Sequence, residues 1–213
     1  MSKKTNINQS IWKMLQLDLA IQKDISRQII NTRALAKYLI KKYGIAQAGL
    51  DAVISSIRRF ESEEKFEEEE KTLQFIFKEA VVSTRNNVAC ITLSLTMNDL
   101  VKRWANAGKL PPARLTAGRR TIKIMMDQPD ISMFKAMFAS DEVIKIEENL
   151  SEICVVVGDR SVLTKGVMAR ISNELALANI NIHELIVCPP EFLIYVKQSD
   201  IVRAHESVLK LGQ

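Results

Sequence analysis

The 213-residue chain has seven glycines, five prolines, three cysteines and two histidines, and each scarcity excludes something. Gly44, Gly49, Gly108, Gly118, Gly158, Gly166 and Gly212 do not cluster, so there is no glycine-rich loop to cradle a phosphate. His183 and His205 stand beside no cysteine or serine in a nucleophile motif. His183 falls in a strand pattern and reads as a structural histidine; no catalytic constellation is visible, and the chain reads as a non-enzyme. Cys90, Cys154 and Cys188 are odd in number and far apart, which argues against a disulfide framework and a zinc site alike. They read as buried thiols, and no metal or cofactor is expected. The longest apolar-rich stretch, Ile180 to Val196, is interrupted by His183, Glu184, Pro189, Pro190 and Glu191, so nothing reads as membrane-spanning. MSKKTNINQS leads into no apolar segment of signal-peptide type, and a cytoplasmic protein is expected.

What is present is an uneven charge. The net charge is +5, yet residues 1–60 hold eleven Lys/Arg against three Asp/Glu, and residues 61–71 hold seven Glu against two Lys. The remaining residues are nearly balanced, so the pattern suggests a polyanion-facing amino-terminal unit joined to a neutral one.

In the amino-terminal sixty residues, Ile7, Ile11, Met14, Leu15, Leu19 and Ile21 form an apolar stripe at helical spacing. A second helix is predicted over Arg33 to Lys42, capped by Asn31 or Thr32 and stopped at Tyr43-Gly44. A third carries Leu50, Val53, Ile54, Ile57 and Phe60 on one side. Two short helices around a glycine-containing turn, with small Ala36 at the crossing, read as helix-turn-helix-like. In that reading Ser55, Arg58 and Arg59 reach bases or phosphates in double-stranded DNA, while Arg33, Lys37, Lys41 and Lys42 neutralise backbone charge. The pattern resembles the amino-terminal part of archaeal proteins that couple such a segment to an ACT-like region.

Glu61 to Lys71 reads as an acidic linker or helix extension, residues 61–72, with no case for a metal site. Leu73 to Ala80 is either a strand or the end of that rod. Strands are predicted at Ala80–Arg85 and Val88–Leu95 around an Asn86-Asn87 turn, then a helix from Met97. A hairpin around Gly118, a helix over Ile131–Phe138 and a strand over Val143–Glu148 follow. Ile153–Val157 is a continuous β-branched run, read as a strand buried on both faces. After a polar loop, Val167, Ile171, Leu175 and Ala178 recur at helical spacing. Two strands meet at Pro189-Pro190, and a last helix buries Ile201, Val202, Val208, Leu209 and Leu211. The fold class is α+β: a helical domain, then two copies of one βαββα order, residues 88–148 and 151–211.

The stretch VVVG, followed by Gly166 opening VMARISNELALANINIHELI, resembles the ACT domain, and most closely the carboxy-terminal regulatory half of aspartokinases. The resemblance implies tandem ferredoxin-like βαββαβ modules with antiparallel sheets that bind small effectors, often amino acids. It further implies that Ala80–Arg85 supplies the missing fourth strand of the carboxy-terminal module. It places an effector at Gly158, Asp159, Lys165, Gly166, Asn181 and Ile182. Backbone amides at the start of the helix would receive an α-carboxylate, Asp159 would pair with an α-ammonium, and Asn181 and Ile182 would approach across an interface between modules. Lys165 departs from the family, where proline is usual. The expected function is an amino-acid-responsive, DNA-binding transcriptional regulator that homodimerises through its ACT modules. The alternative is a stand-alone ACT regulatory subunit controlling a partner enzyme.

Overall fold

The computed structural model describes residues 7–45, 48–60, 66–107, 109–158, 161 and 163–213. The chain divides into two compact units, Met1–Glu70 and Lys71–Gln213.

The first unit is helical: α1 (Ile7–Gln16), α2 (Leu19–Ser26), α3 (Thr32–Tyr43) and α4 (Leu50–Arg58). The stripe from Ile7 to Ile21 is split between α1 and α2, because the Asp18 side chain accepts the Ile21 N–H and starts a new helix. Asn31, rather than Thr32, caps α3, accepting from the N–H groups of Arg33 and Ala34 at 3.0 Å each. Gly44 ends α3 at φ 64°, a left-handed conformation that costs glycine little. Ile11, Leu15, Ala36, Leu39, Val53 and Ile57 form the core, and Trp12 Nε1 donates to the Ser56 carbonyl at 3.0 Å, tying α1 to α4.

In the second unit the residues from Leu73 are helical, within α5 (Phe66–Lys78), not a strand. There follow β1 (Val81–Leu93), α6 (Met97–Asn106), β2 (Ala113–Ala117), β3 (Ile122–Asp127), α7 (Ile131–Lys135), β4 (Val143–Val156), α8 (Val167–Leu177), β5 (Glu184–Cys188), β6 (Glu191–Lys197) and α9 (Ile201–Leu209). All pairings are antiparallel in one sheet of order β2-β3-β1-β4-β6-β5.

Two strand boundaries in the sequence reading do not exist. No turn stands at Asn86-Asn87: β1 runs through, with Asn87 at φ 55° and a register shift between Arg85 and Val88. The strand pieces at 143–148 and 153–157 likewise form one strand, β4, with Asn149 at φ 56°. Asparagine tolerates the left-handed region better than other residues with a Cβ, so each long strand bends without breaking. Val81–Arg85 pair with Glu152–Val156, and Val88–Leu93 pair with both β3 and the first half of β4. The halves of β1 and β4 thus serve opposite ends of the sheet.

The sheet is folded over on itself. β3 and β5 are separated by three intervening strands, which in a flat sheet would place them about 19 Å apart. Lys123 Nζ on β3 nevertheless lies 2.5 Å from Glu184 Oε2 on β5. The inward faces of the two halves meet over Val88, Cys90, Met125, Leu150, Leu193 and Tyr195. On the outer face of one half, α6 and α7 cover Ile91, Leu93, Ile122, Ile124 and Met126. On the other, α5, α8 and α9 cover Ile153, Val155, Phe192, Ile194 and Val196. Period-two alternation explains the division: in β4, Ile153 and Val155 face the helices while Glu152 and Cys154 face the opposite half-sheet.

Three further expectations are corrected. α7 ends at Lys135, preceded by a 3₁₀ turn over Gln128–Asp130. In α9 the buried face is Ile201, Ala204 and Val208, whereas Val202 and Leu209 are 67% and 45% exposed. Of the three cysteines only Cys90 is buried; Cys154 is half-buried and Cys188 exposed.

Candidate functional site

The loop from β4 to α8 carries four of the six residues assigned to an effector site. Gly158 is exposed, Asp159 lies outside the described residues, Lys165 is exposed, and Gly166 heads α8 at φ 88°. With glycine at its N-cap, α8 has no side-chain cap, so its first backbone N–H groups are left for water or a ligand. Val167, buried in the core, fixes the start of the helix. The loop is braced by backbone hydrogen bonds from Ser161 to Gly158 (2.9 Å) and from Thr164 to Ser161 (3.2 Å). Ser161 is 4% exposed, and its hydroxyl has no hydrogen-bond partner among the described residues. Sequence reasoning missed this residue, since one serine in a polar loop carries no signal until its burial is known.

Asn181 and Ile182 lie beyond the other end of α8. Asn179 at φ 55° terminates that helix, and the Ile180 N–H closes it onto Leu175 O at 2.9 Å. Its eleven residues make α8 about 16 Å long, with Gly166 just before its start and Asn179 beyond its end. Within one chain, therefore, the structure does not bring Asn181 and Ile182 together with Lys165 and Gly166. Asn181 is exposed, while Ile182 packs against the core beneath α8.

A second polar cluster lies between the half-sheets. Glu152, 4% exposed, accepts from Tyr195 Oη at 2.6 Å, Arg114 Nη1 at 2.5 Å and Arg85 Nη2 at 3.4 Å. Arg85 also pairs with Asp127 at 3.3 Å. Burial, and then the hydrogen bond to Glu152, holds the Tyr195 phenol well above its usual pKa, so it remains a donor. His183 lies one residue before β5 rather than within it; its Nδ1 is 3.3 Å from Glu147 Oε1, and its buried Nε2 has no partner among the described residues. Apart from Nε2 of His183 and Nε of Arg85, these polar groups are engaged with one another, and the cluster reads as a clamp holding the half-sheets together. Among the described residues no group of three or more His, Cys, Asp or Glu is placed to hold a metal ion. None of their helices is long and apolar enough to cross a membrane.

In the first unit, Arg33, Lys37 and Lys41 recur every four residues on the exposed side of α3. Lys42 is drawn off this stripe: it lies over the Tyr38 and Tyr43 rings, 5.1 and 5.4 Å from their centroids, and 3.9 Å from Asp18. On α4, Ser55 is half-buried, Arg58 closes the helix and Arg59 is its C-cap, both exposed. The first turn of α4, the part that a recognition helix usually presents to bases, offers Asp51 and no basic residue.

No protein-family model matches the chain, and no curated protein matches it. Solved structures do. The aspartate kinase of Clostridium acetobutylicum, described as an allosteric enzyme, matches with a TM-score of 0.53 at 15% identity, over 62% of this chain and 34% of that one. The regulatory subunit of aspartate kinase from Thermus flavus matches with a TM-score of 0.52 at 11% identity, over 62% of this chain and 97% of that one. Its counterpart from Thermus thermophilus, in ligand-free form, gives 0.51 at 12%, over 62% and 96%. The chain spans about a third of the Clostridium enzyme's length. At such identities the likeness is one of fold: the carboxy-terminal region is ACT-like, built from helices and antiparallel sheet as aspartate kinase regulatory regions are.

Proposed function

We propose that the protein is an amino-acid-responsive regulator whose second unit consists of two interlocked ferredoxin-like ACT modules, 88–148 and 80–85 with 151–211. The observation that carries this reading is the start of α8, headed by Gly166 with no side-chain cap, on a fold shared with regulatory regions. The α-carboxylate of the effector sits on the first N–H groups of α8 beside Lys165, and Gly158 lets the backbone approach. Asp159 takes the α-ammonium. Asn181 and Ile182 come from a second copy of the chain, because α8 separates them from Gly166 in their own, and the protein therefore works as a homodimer. The edge strands β2 and β5 and the outer helix faces are the surfaces left for that pairing.

The amino-terminal unit delivers the output by binding double-stranded DNA in the cytoplasm. The exposed stripe Arg33, Lys37 and Lys41 on α3 lies along phosphates, with Ser55, Arg58 and Arg59 at the far end of α4 adding contacts. A second reading, a regulatory subunit that controls a partner enzyme, draws support from the near-complete coverage of the two Thermus regulatory subunits. The deciding experiment is a thermal-shift screen of the twenty amino acids followed by DNA retention at low salt with and without the hit. A stabilising amino acid that Lys165→Glu no longer responds to supports the sensor; no stabilising amino acid overturns it. DNA retention that Lys37→Glu/Lys41→Glu abolishes supports the DNA output, and no retention at low salt favours the partner-enzyme reading.

A further inference from the structure

Where β1 and β4 bend, a cleft of about 430 Å³ opens on the second unit, lined by Asn87, Gln128, Pro129, Ile131, Ser132 and Glu148. It is distinct from the loop before α8, and its volume falls in the range of small-molecule sites. Three separate chain segments converge on it: the bend of β1 at Asn87, the 3₁₀ turn leading into α7, and the end of the first half of β4 at Glu148. Among the described lining residues the only charge is the Glu148 carboxylate, with no lysine, arginine or histidine beside it. Glu148 is exposed and forms no ion pair with any described residue, so its charge is available to a ligand. Around it stand two side-chain amides and a hydroxyl, which offer oxygen acceptors; Pro129 and Ile131 supply an apolar wall. The Gln128 Oε1 already accepts from the Asn149 N–H at 2.8 Å, so this turn is held in place without a ligand.

We propose that this cleft binds a small alkylammonium ion, its N–H groups directed to Glu148, Asn87 and Ser132 and its alkyl chain laid against Pro129 and Ile131. An α-amino acid is the wrong ligand here, because its carboxylate would find only Glu148 and no cation. Occupancy fastens the bend of β1 to that of β4, the two points through which the half-sheets are connected. This site is independent of the effector loop.

The test is a titration of the full chain with butylammonium chloride, and in parallel with sodium butyrate, followed by ¹H–¹⁵N correlation spectra. The expected result is saturable shifts at the Asn87 and Asn149 amides with butylammonium and none with butyrate. Glu148→Gln, an exposed and isosteric change, should weaken binding about fivefold, as an exposed ion pair allows. Lys165→Ala should leave it unchanged, which separates this cleft from the proposed effector site. Absence of saturable shifts at those two amides, an equal response to butyrate, or undiminished affinity in Glu148→Gln would overturn the proposal.

Discussion

The side-chain oxygen of Gln128 accepts the backbone N–H of Asn149 at 2.8 Å, and the side-chain oxygen of Gln198 accepts that of Asn87 at 3.4 Å. Both glutamines open a 3₁₀ turn, QPD at 128–130 and QSD at 198–200, that leads directly into a helix. Both asparagines sit at positive φ where a long strand bends. A bend turns one N–H out of the ladder, and an outside acceptor must satisfy it. The two ends of the sheet meet that requirement in the same way.

Removing the acceptor should therefore soften the bend. Gln128→Ala is expected to lower stability by about 1 kcal/mol, the usual net worth of a hydrogen bond. Gln198→Ala should cost less, because its bond is at the long limit of the geometry. Urea midpoints of the two variants check this, and a larger loss for Gln198→Ala would count against the account of the bends.

The glutamine–asparagine pairs show what was legible beforehand. The order of strands and helices from Val88 onward could be read from periodicity, and the structure has helices and strands close to those positions. Continuity of β1 and β4 could not, because Asn86-Asn87 and Asn149 carry the same local signal whether the chain reverses or merely bends. The apolar runs named the core but not how the sheet folds over; that depends on Arg114, Lys123, Glu147, Glu152 and Glu184, which read singly as solvated charges on half-exposed strands. Glu152 left one trace, a carboxylate in the apolar strand SEICVVV. In the loop before α8, the type and spacing of Gly158, Lys165 and Gly166 were visible, whereas the burial of Ser161 and the extent of α8 that sets Asn181 apart are facts of the folded chain.

Glu152 gives the strongest mutational expectation. Its carboxylate is buried against Tyr195 and two arginines, each about a third exposed. Glu152→Ala leaves Arg114 without its counter-charge and Arg85 with Asp127 alone, at a cost of roughly 3 kcal/mol, the lower end for a broken buried pair because water reaches the guanidinium groups. Tyr195→Phe removes one bond to a charged acceptor, about 1.5 kcal/mol. In a double mutant the two losses should fall short of their sum, since both act on one network. Full additivity in denaturation would show that the clamp is not a single unit.

The three thiols should react in the order of their exposure. Cys188 is exposed on β5, Cys154 half-buried, and Cys90 buried between the half-sheets. Burial pushes the Cys90 thiol up to about 11. Iodoacetamide at neutral pH should label Cys188 first and Cys90 only at the rate of unfolding. Because the folded pKa lies above the unfolded one, the thiol contributes stability that is complete below pH 9.0 and lost as pH rises toward 11. Cys90→Ser should lose this alkaline dependence; early labelling of Cys90 in the native protein would contradict the buried assignment.

Glu147 makes the acid limb of the stability curve testable. The hydrogen bond from Lys145, and after it that from His183, holds its carboxyl below the ordinary 4.5. A depressed folded pKa means that the unfolded chain takes up the proton first, so the stabilisation is present above pH 4.5 and disappears as pH falls through the folded value. Replacing the carboxylate by an amide removes the titration while keeping the shape. The difference in urea midpoint between the wild type and Glu147→Gln should accordingly be constant at neutral pH and shrink below pH 4.5. His183→Ala should shrink it only in part, since Lys145, the larger contributor, remains. If the difference stays level down to acid unfolding, Glu147 does not carry a pH-dependent share of the contact between the half-sheets.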